Sequence, residues 1–255
     1  QMNYNNDVEL DNFCSQCLLV INAVGPSFKI NDKIALHALR NNCHYIDIGG
    51  YGILRDLLKP YEKSIEAQKL CFIIGVGWIS GVFSKTIIET HLNSPENTNF
   101  NIYYGAVDNW SYSSTYDLAA SSMGKTRSYV YSHGKEIQVS PFRYTHHKFF
   151  PFIGHKKICM PSFDEQLTQL ATSLKQIRKI STFIMLNDYI SMGKFMFIKI
   201  FYKHNLNKAT LMLQDDYQRL VKKENKWGSV ICQVSKIEPE RKIDTFYYLY
   251  TKNNL

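Results

Sequence analysis

Long apolar stretches are missing from this chain of 255 residues. No hydrophobic run approaches the roughly 20 residues that a membrane-spanning helix needs, and the polar N-terminal segment differs from a secretory signal. The six cysteines, scattered between positions 14 and 232, lack the density and spacing of a disulfide framework. We therefore expect reduced thiols, a cytoplasmic location and no membrane partner.

Recognisable catalytic and metal-binding patterns are also scarce. Cys14 and Cys17 have the spacing of a redox motif or of half a zinc site, but no second cysteine pair follows at zinc-site spacing. The spacing of the remaining residues supports no Ser-His-Asp, Cys-His or paired-carboxylate arrangement. We therefore predict no metal site, and these patterns assign no catalytic residue.

Charge is distributed unevenly along the chain, whose net charge is +8. Residues 1–92 carry 8 Lys and Arg against 9 Asp and Glu, whereas residues 93–255 carry 22 against 13. The change coincides with the polar stretch NSPENTN (93–99), which predicts a domain junction. The basic residues stand singly or in short groups, so we interpret them as a solvated surface and expect no nucleic-acid partner.

Short apolar runs alternate with amphipathic stretches in the first of these parts. The apolar runs CLLVINAV (17–24), HYIDIGG (44–50) and LCFIIGVG (70–77) have the length and composition of buried strands. Helical periodicity occupies the ranges 32–41, 52–69 and 79–92, and Pro60 is expected to kink or divide the second helix. This alternation predicts a parallel sheet with crossover helices.

Unusual residues follow each predicted strand, in the loops NAVGP, DIGGYG and GVGWISG. In an open parallel sheet the ligand lies beyond the carboxyl ends of the strands. Asn22 and Asp47 supply polar groups that are costly to bury unpaired, and glycine lets the backbone approach a ligand closely. Ordinary turns would explain any one loop, but the three together favour a binding site along one edge.

The second part predicts an α+β domain with a mixed sheet. Strands are expected at 100–107, at 180–186, in a hairpin over 127–142 and in a pair near the C-terminal end. Helices are expected at 111–124, 161–177, 187–204 and 209–223.

A basic and aromatic segment, PFRYTHHKFFPFIGHKK (141–157), stands out within this second part. Arginine and histidine side chains can bind a carboxylate- or phosphate-bearing small molecule. We name Arg143 and His147 as candidate substrate-binding residues, and the alternative is a surface loop without a ligand.

Three stretches carry a resemblance to a known family. VINAVGPSF, HYIDIGG and GVGWISGVFS, in this order and spacing, resemble successive loops of the saccharopine dehydrogenase-like oxidoreductases. The resemblance is clearest over residues 14–92 and weaker afterwards. It implies a partial Rossmann-type dinucleotide-binding domain over 1–92 and an α+β substrate and dimerisation domain over 93–255. It also implies hydride transfer between NADP or NAD and an imine, carbonyl or activated alkene.

The same resemblance implies which residues line the cofactor. The pyrophosphate-nicotinamide side would be formed by Asn22, Val24, Gly25 and Pro26. Asp47, Gly49 and Gly50 would form the next wall, with Gly77 and Trp78 near the nicotinamide.

The sequence departs from the family pattern because it has no G-x-G-x-x-G turn to bind the pyrophosphate. CLLVINAV looks like the fourth strand of the family's domain, so about 50 to 70 residues are expected to be missing before Gln1. We therefore expect a fragment, shortened at the N-terminal and also the C-terminal end, with weakened cofactor binding. The alternative is a non-catalytic interaction protein that kept the scaffold and lost the cofactor. An exposed sheet edge predicts association with a second copy.

Overall fold

Two compact units make up the protein, residues 1–77 and residues 78–255. The computed structural model describes residues 3–49, 51–77, 81–93, 98–124, 128–162, 165–174, 177–202, 204–237 and 242–252. Within these ranges, no helix combines the length and the apolar character that crossing a membrane requires.

The first unit is built on a parallel sheet with the strand order β1-β2-β3. Its strands are β1 (Leu19–Asn22), β2 (His44–Asp47) and β3 (Phe72–Ile74). Its helices are α1 (Asp7–Cys14), α2 (Ser27–Ile30), α3 (Lys33–Arg40), α4 (Tyr51–Leu58) and α5 (Glu62–Ala67). A 3₁₀ turn at Lys59–Tyr61 separates α4 from α5, so the predicted helix is divided at Pro60. The predicted parallel sheet with crossover helices is confirmed.

Burial in this sheet alternates with a period of two. Val20 and Tyr45 lie side by side in β1 and β2 and are buried, whereas Leu19 and Ile21 are 41% and 61% exposed. The buried core has residues from α1, α3, α4 and the sheet, among them Leu10, Ile34, Ala38, Tyr45 and Leu54. The run CLLVINAV (17–24) was expected to be a buried strand, and the structure shows one face of β1 buried and the other exposed.

The second unit is built on an eight-stranded mixed sheet. Its strands are β4 (Thr98–Val107), β5 (Ser128–Ser132), β6 (Lys135–Val139), β7 (His146–Phe150), β8 (His155–Ser162), β9 (Ile177–Leu186), β10 (Trp227–Ile237) and β11 (Lys242–Lys252). Its helices are α6 (Phe83–Asn93), α7 (Tyr112–Gly124), α8 (Pro141–Tyr144), α9 (Glu165–Ser173), α10 (Tyr189–Phe201) and α11 (Leu206–Val221). The strand order β11-β10-β4-β9-β5-β6 has β4 parallel to β9, while β7 and β8 form a hairpin that extends from β9. The predicted α+β domain with a mixed sheet is confirmed.

Helix α6 sets the boundary between the units. Its Phe83 and Ile87 are fully buried in a cluster with Phe100 of β4 and Val230 of β10. Full burial of such a side chain contributes about 1.5–3 kcal/mol, so the helix belongs with the second sheet. The division between residues 77 and 78 therefore lies before the junction expected at 92/93, because packing of an apolar helix face, rather than composition, decides it.

Two expectations for the second unit change. The segment 141–157 is not an irregular loop, since α8, β7 and the first residues of β8 occupy it. The helix expected over 161–177 begins only at residue 165, because Pro161 and Ser162 complete β8. Ser162 pairs there with Thr182 of β9, whose hydroxyl donates to the Ser162 carbonyl at 2.7 Å.

Candidate functional site

Asn22, Tyr45 and Asp47 form a buried hydrogen-bond network where β1 and β2 end. The Asn22 amide Nδ2 donates to the Tyr45 hydroxyl at 3.0 Å and to Asp47 Oδ2 at 2.6 Å. The Tyr45 hydroxyl donates to the same carboxylate oxygen, also at 2.6 Å. Burial, reinforced by the hydrogen bond to Asp47, raises the pKa of Tyr45, so the hydroxyl stays protonated and acts as a donor.

The two polar strand ends also shape the loops that follow them. The Val24 amide donates to Asn22 Oδ1 at 3.0 Å, and the Gly49 amide donates to Asp47 Oδ1 at 2.9 Å. Each side chain thus caps its own turn two residues on, which explains why the buried strands end on Asn and Asp. These groups are partnered within the chain, and they hold the loops rather than point at solvent.

Backbone contacts join the three loops to one another. The Ile48 amide donates to the Asn22 carbonyl at 3.3 Å, and the Val76 amide donates to the Asp47 carbonyl at 3.2 Å. A Cβ added at Gly77 would lie 2.6 Å from the Ile48 carbonyl oxygen, so the backbone after β3 needs glycine to pack there. A Cβ at Gly49 would similarly lie 2.6 Å from the Ser27 hydroxyl.

The loops at the carboxyl edge of the first sheet expose apolar side chains. Val24, Ile48 and Val76 follow β1, β2 and β3 and are 38%, 46% and 39% exposed. Such a surface at the carboxyl edge of a parallel sheet fits a flat ring such as nicotinamide. None of these three side chains carries a charge that could bind a pyrophosphate.

The predicted cofactor residues that the structure describes all lie at this edge. They are Asn22, Val24, Gly25, Pro26, Asp47, Gly49 and Gly77. Gly50 and Trp78 lie outside the described residues. Sequence analysis missed Tyr45, although its position two residues before Asp47 in the same strand puts both side chains on one face.

The candidate substrate residues lie in different surroundings of the second unit. Arg143 lies on α8 and lines a shallow groove of about 520 Å³ with Gln138, Val139, Ser140 and Tyr144. His147 lies on β7, where its Nε2 is 3.1 Å from the Tyr189 hydroxyl at the start of α10. A substrate-binding role for Arg143 and for His147 is a proposal.

A polar cluster that sequence analysis missed lies on one face of the second sheet. Lys148 Nζ donates to the Tyr103 hydroxyl at 3.2 Å and to the Gln233 side-chain carbonyl. The same ammonium lies 4.5 Å from the centre of the Tyr103 ring. Burial raises the pKa of Tyr103, which therefore remains a neutral donor. The three residues come from β4, β7 and β10, so only the sheet topology brings them together.

The chain thus has a parallel-sheet unit with its strand-ending loops at one edge, and an α+β unit with a mixed sheet. Apo saccharopine dehydrogenase (L-Glu forming) from Saccharomyces cerevisiae superposes with a TM-score of 0.62 at 13% identity, over 98% of this chain and 74% of that enzyme. The chain therefore has the saccharopine dehydrogenase-like fold that the sequence motifs predicted.

A second solved structure, the dehydrogenase MviM from Clostridium difficile, is 7% identical over 96% of this chain and 66% of its own. Its TM-score of 0.37 is too low to support a fold assignment, which depends on the yeast enzyme. No protein-family model matches the sequence, and no curated protein matches it either. At such low identity the likeness establishes the fold alone.

Proposed function

We propose that this protein is a saccharopine dehydrogenase-like oxidoreductase that uses NADP or NAD to reduce an imine, a carbonyl or an activated alkene. The supporting observation is the convergence of three strand-ending loops, held by Asn22, Tyr45 and Asp47, at the carboxyl edge of the parallel sheet. A bound nicotinamide would supply the hydride chemistry. The protein's part is to hold and orient the reactants.

Each residue set has its own part in this proposal. Asn22 and Asp47 position the loops, and Val24 and Ile48 give the nicotinamide ring an apolar surface. Arg143 binds a carboxylate of a small-molecule substrate, because a guanidinium recognises carboxylates through paired hydrogen bonds. His147, which lies beside Tyr189, is proposed as a separate polar contact for the substrate.

Titration of the folded protein with NADPH and with NADH, followed by calorimetry, tests the proposal. We expect saturable binding of one or both nucleotides. The substitution Ile48→Asp places a negative charge on the proposed nicotinamide surface, so it should weaken binding at least about tenfold. Leu18→Asp is the matched control, since Leu18 is 78% exposed and precedes β1, at the opposite end of that strand.

A second candidate function is a non-catalytic interaction protein on the same scaffold. It is favoured by the internal partners of Asn22 and Asp47, which are hydrogen-bonded within the chain. A folded protein that binds neither nucleotide at millimolar concentration would support this function and contradict the first.

A further inference from the structure

Three cysteines from separate parts of the sequence meet in the first unit. Cys14 ends α1, Cys17 follows after a turn in which its amide donates to the Cys14 carbonyl, and Cys43 lies just before β2. The Cys43 thiol lies 2.9 Å from the Cys14 carbonyl oxygen and 3.0 Å from the Cys17 carbonyl oxygen. Folding therefore adds a third cysteine to the pair that the sequence shows.

The cluster does not have the arrangement of a metal site. Among the described residues, no group of three or more His, Cys, Asp or Glu side chains is placed to hold a metal ion. The Cys43 thiol instead points at backbone carbonyls, which accept a hydrogen bond from a protonated sulfur.

Access from solvent differs among the three thiols. Cys14 and Cys43 are fully buried, whereas Cys17 is partly exposed. Burial raises the pKa of Cys43 and raises that of Cys14 to about 11, so both thiols are protonated at neutral pH. An oxidant from solvent therefore meets Cys17 first.

The distance between Cys17 and Cys43 suits a covalent link. The Cys43 sulfur is 3.0 Å from the Cys17 carbonyl oxygen, so standard bond lengths put the two Cα atoms at most about 8 Å apart. Disulfides join residues whose Cα atoms are about 4.4–6.8 Å apart, so a movement of about 1–2 Å at the turn before β1 is the most that the link requires.

We propose that Cys17 and Cys43 form a disulfide by exchange with a small-molecule disulfide such as oxidised glutathione. The Cys17 thiolate attacks one glutathione sulfur, forms a mixed disulfide and releases the first glutathione. Cys43 then gives up its proton, and the resulting thiolate attacks the Cys17 sulfur and displaces the second glutathione. The two thiol protons end on the two glutathiones, so the protein loses two electrons and oxidised glutathione gains them.

This modification would join the end of α1 to the start of β2 by a bond. Because the closed loop spans more than twenty residues of sequence, the bond would restrict the unfolded chain and stabilise the first unit. The exposed Cys71 provides an internal comparison, since a solvent-accessible thiol can also take up glutathione.

The full chain is incubated with oxidised glutathione, alkylated, digested with trypsin and analysed by mass spectrometry. We expect a cross-link between the peptide that ends at Lys29 and the peptide that begins at Asn41. The substitutions Cys17→Ser and Cys43→Ser should each abolish this cross-link, and Cys14→Ser and Cys71→Ser should retain it. Circular dichroism checks folding, and serine at position 43 keeps a donor for the two carbonyls.

The alternatives give distinct products. A stable glutathione adduct on Cys17, an internal Cys14–Cys17 disulfide or alkylation of Cys43 in every sample would each overturn the proposal. Because the readout is peptide mass, the result does not depend on nucleotide binding.

Discussion

At the scale of single residues, Asp47 holds together the edge of the first sheet. Its two carboxylate oxygens accept hydrogen bonds from the Asn22 amide, the Tyr45 hydroxyl and the Gly49 backbone. All these donors except the Gly49 amide belong to buried side chains. Removing the acceptor would leave the buried Tyr45 hydroxyl without the carboxylate to which it donates, while the Asn22 amide would keep its bond to Tyr45. An unmade buried hydrogen bond costs more than a made one contributes.

The substitution Asp47→Ala should therefore lower the free energy of unfolding by about 2–4 kcal/mol. Asp56→Ala is the matched control, because Asp56 is exposed on α4 and its loss should cost less than about 0.5 kcal/mol. Urea unfolding measures both values. Equal unfolding midpoints for the two variants would show that the network is not structural.

The stability of the protein should be sensitive to one methyl group added at Gly77. Its added Cβ would lie 2.6 Å from the Ile48 carbonyl oxygen, so Gly77→Ala forces the two backbones apart and should destabilise by about 1–3 kcal/mol. Gly193→Ala is the opposite case, since Gly193 lies within α10 with open space around its Cβ position. It should stabilise by about 0.5–1 kcal/mol. Thermal unfolding of both variants checks whether the signs differ.

At the scale of elements, α1 and α3 are joined by contacts between acidic side chains of α1 and basic side chains of α3. Asp11 Oδ1 lies 2.6 Å from Nδ1 of the buried His37, and Lys33 Nζ lies 2.7 Å from Asp7 Oδ1. Arg40 is the other charged group of α3 in this contact, 3.8 Å from Asp11. The hydrogen bond with Lys33 lowers the pKa of Asp7, and the one with His37 lowers that of Asp11.

Low pH should therefore weaken the contacts that hold α1 against α3. A carboxyl group with a lowered pKa in the folded state stabilises the fold above its unfolded pKa, near 3.8, and this stabilisation is lost as the pH falls through the folded value. We expect hydrogen-exchange protection factors in α1 to fall as the pH drops below about 4. Protection in α1 that stays constant down to pH 2 would contradict this view.

A substitution separates this effect from general acid unfolding. Asp11→Asn removes the carboxyl group that titrates beside His37. Hydrogen-exchange protection of α1 should therefore be lower at pH 5 and should depend less on pH. Asp56→Asn, on the exposed side of α4, should leave the pH dependence unchanged.

At the scale of the whole molecule, the core of the second unit depends on a helix that comes before its first strand. The core of the second unit includes Phe83 and Ile87 of α6, which precede its first strand. A boundary drawn at the polar stretch 93–99 would remove this helix and expose the face of the sheet that it covers.

We therefore expect a fragment starting at residue 78 to be soluble and to unfold cooperatively. A fragment starting at residue 94 should aggregate or bind a hydrophobic dye, because the partners of Phe83 and Ile87 in the core become exposed. Size-exclusion chromatography and dye fluorescence compare the two fragments. Identical behaviour would place α6 outside the core of the second unit.

Much of the fold followed from local sequence patterns. Pro60 divided its helix because proline cannot donate the backbone hydrogen bond of a helix interior. The hairpin turn at His133-Gly134 was predictable from the period-two alternation on either side of it, and both residues take positive φ, of 49° and 81°, as a tight two-residue turn needs. The alternation of strands and helices in the first unit predicted the parallel sheet, which is confirmed.

The site was only partly predictable. Sequence patterns placed Asn22 and Asp47 at strand ends, and a role in cofactor binding remains a prediction for both. They did not show that the two side chains bond to each other, because register between parallel strands is set by packing across a crossover helix. Lys148, Tyr103 and Gln233 lie on strands far apart in the sequence, so their contact has no local signal.

By itself, the sequence determined the alternation of strands and helices in the first unit, the loops at the sheet edge and the likeness to the saccharopine dehydrogenase-like fold. These features depend on periodicity, on proline and glycine, and on short motifs, all of which act over a few neighbouring residues. Tertiary structure alone decided the unit boundary, the partners of Asn22 and Asp47 and the meeting of Cys43 with Cys14 and Cys17. The unit boundary and these contacts depend on which surfaces, far apart in the sequence, are buried together, and that burial is a property of the folded chain.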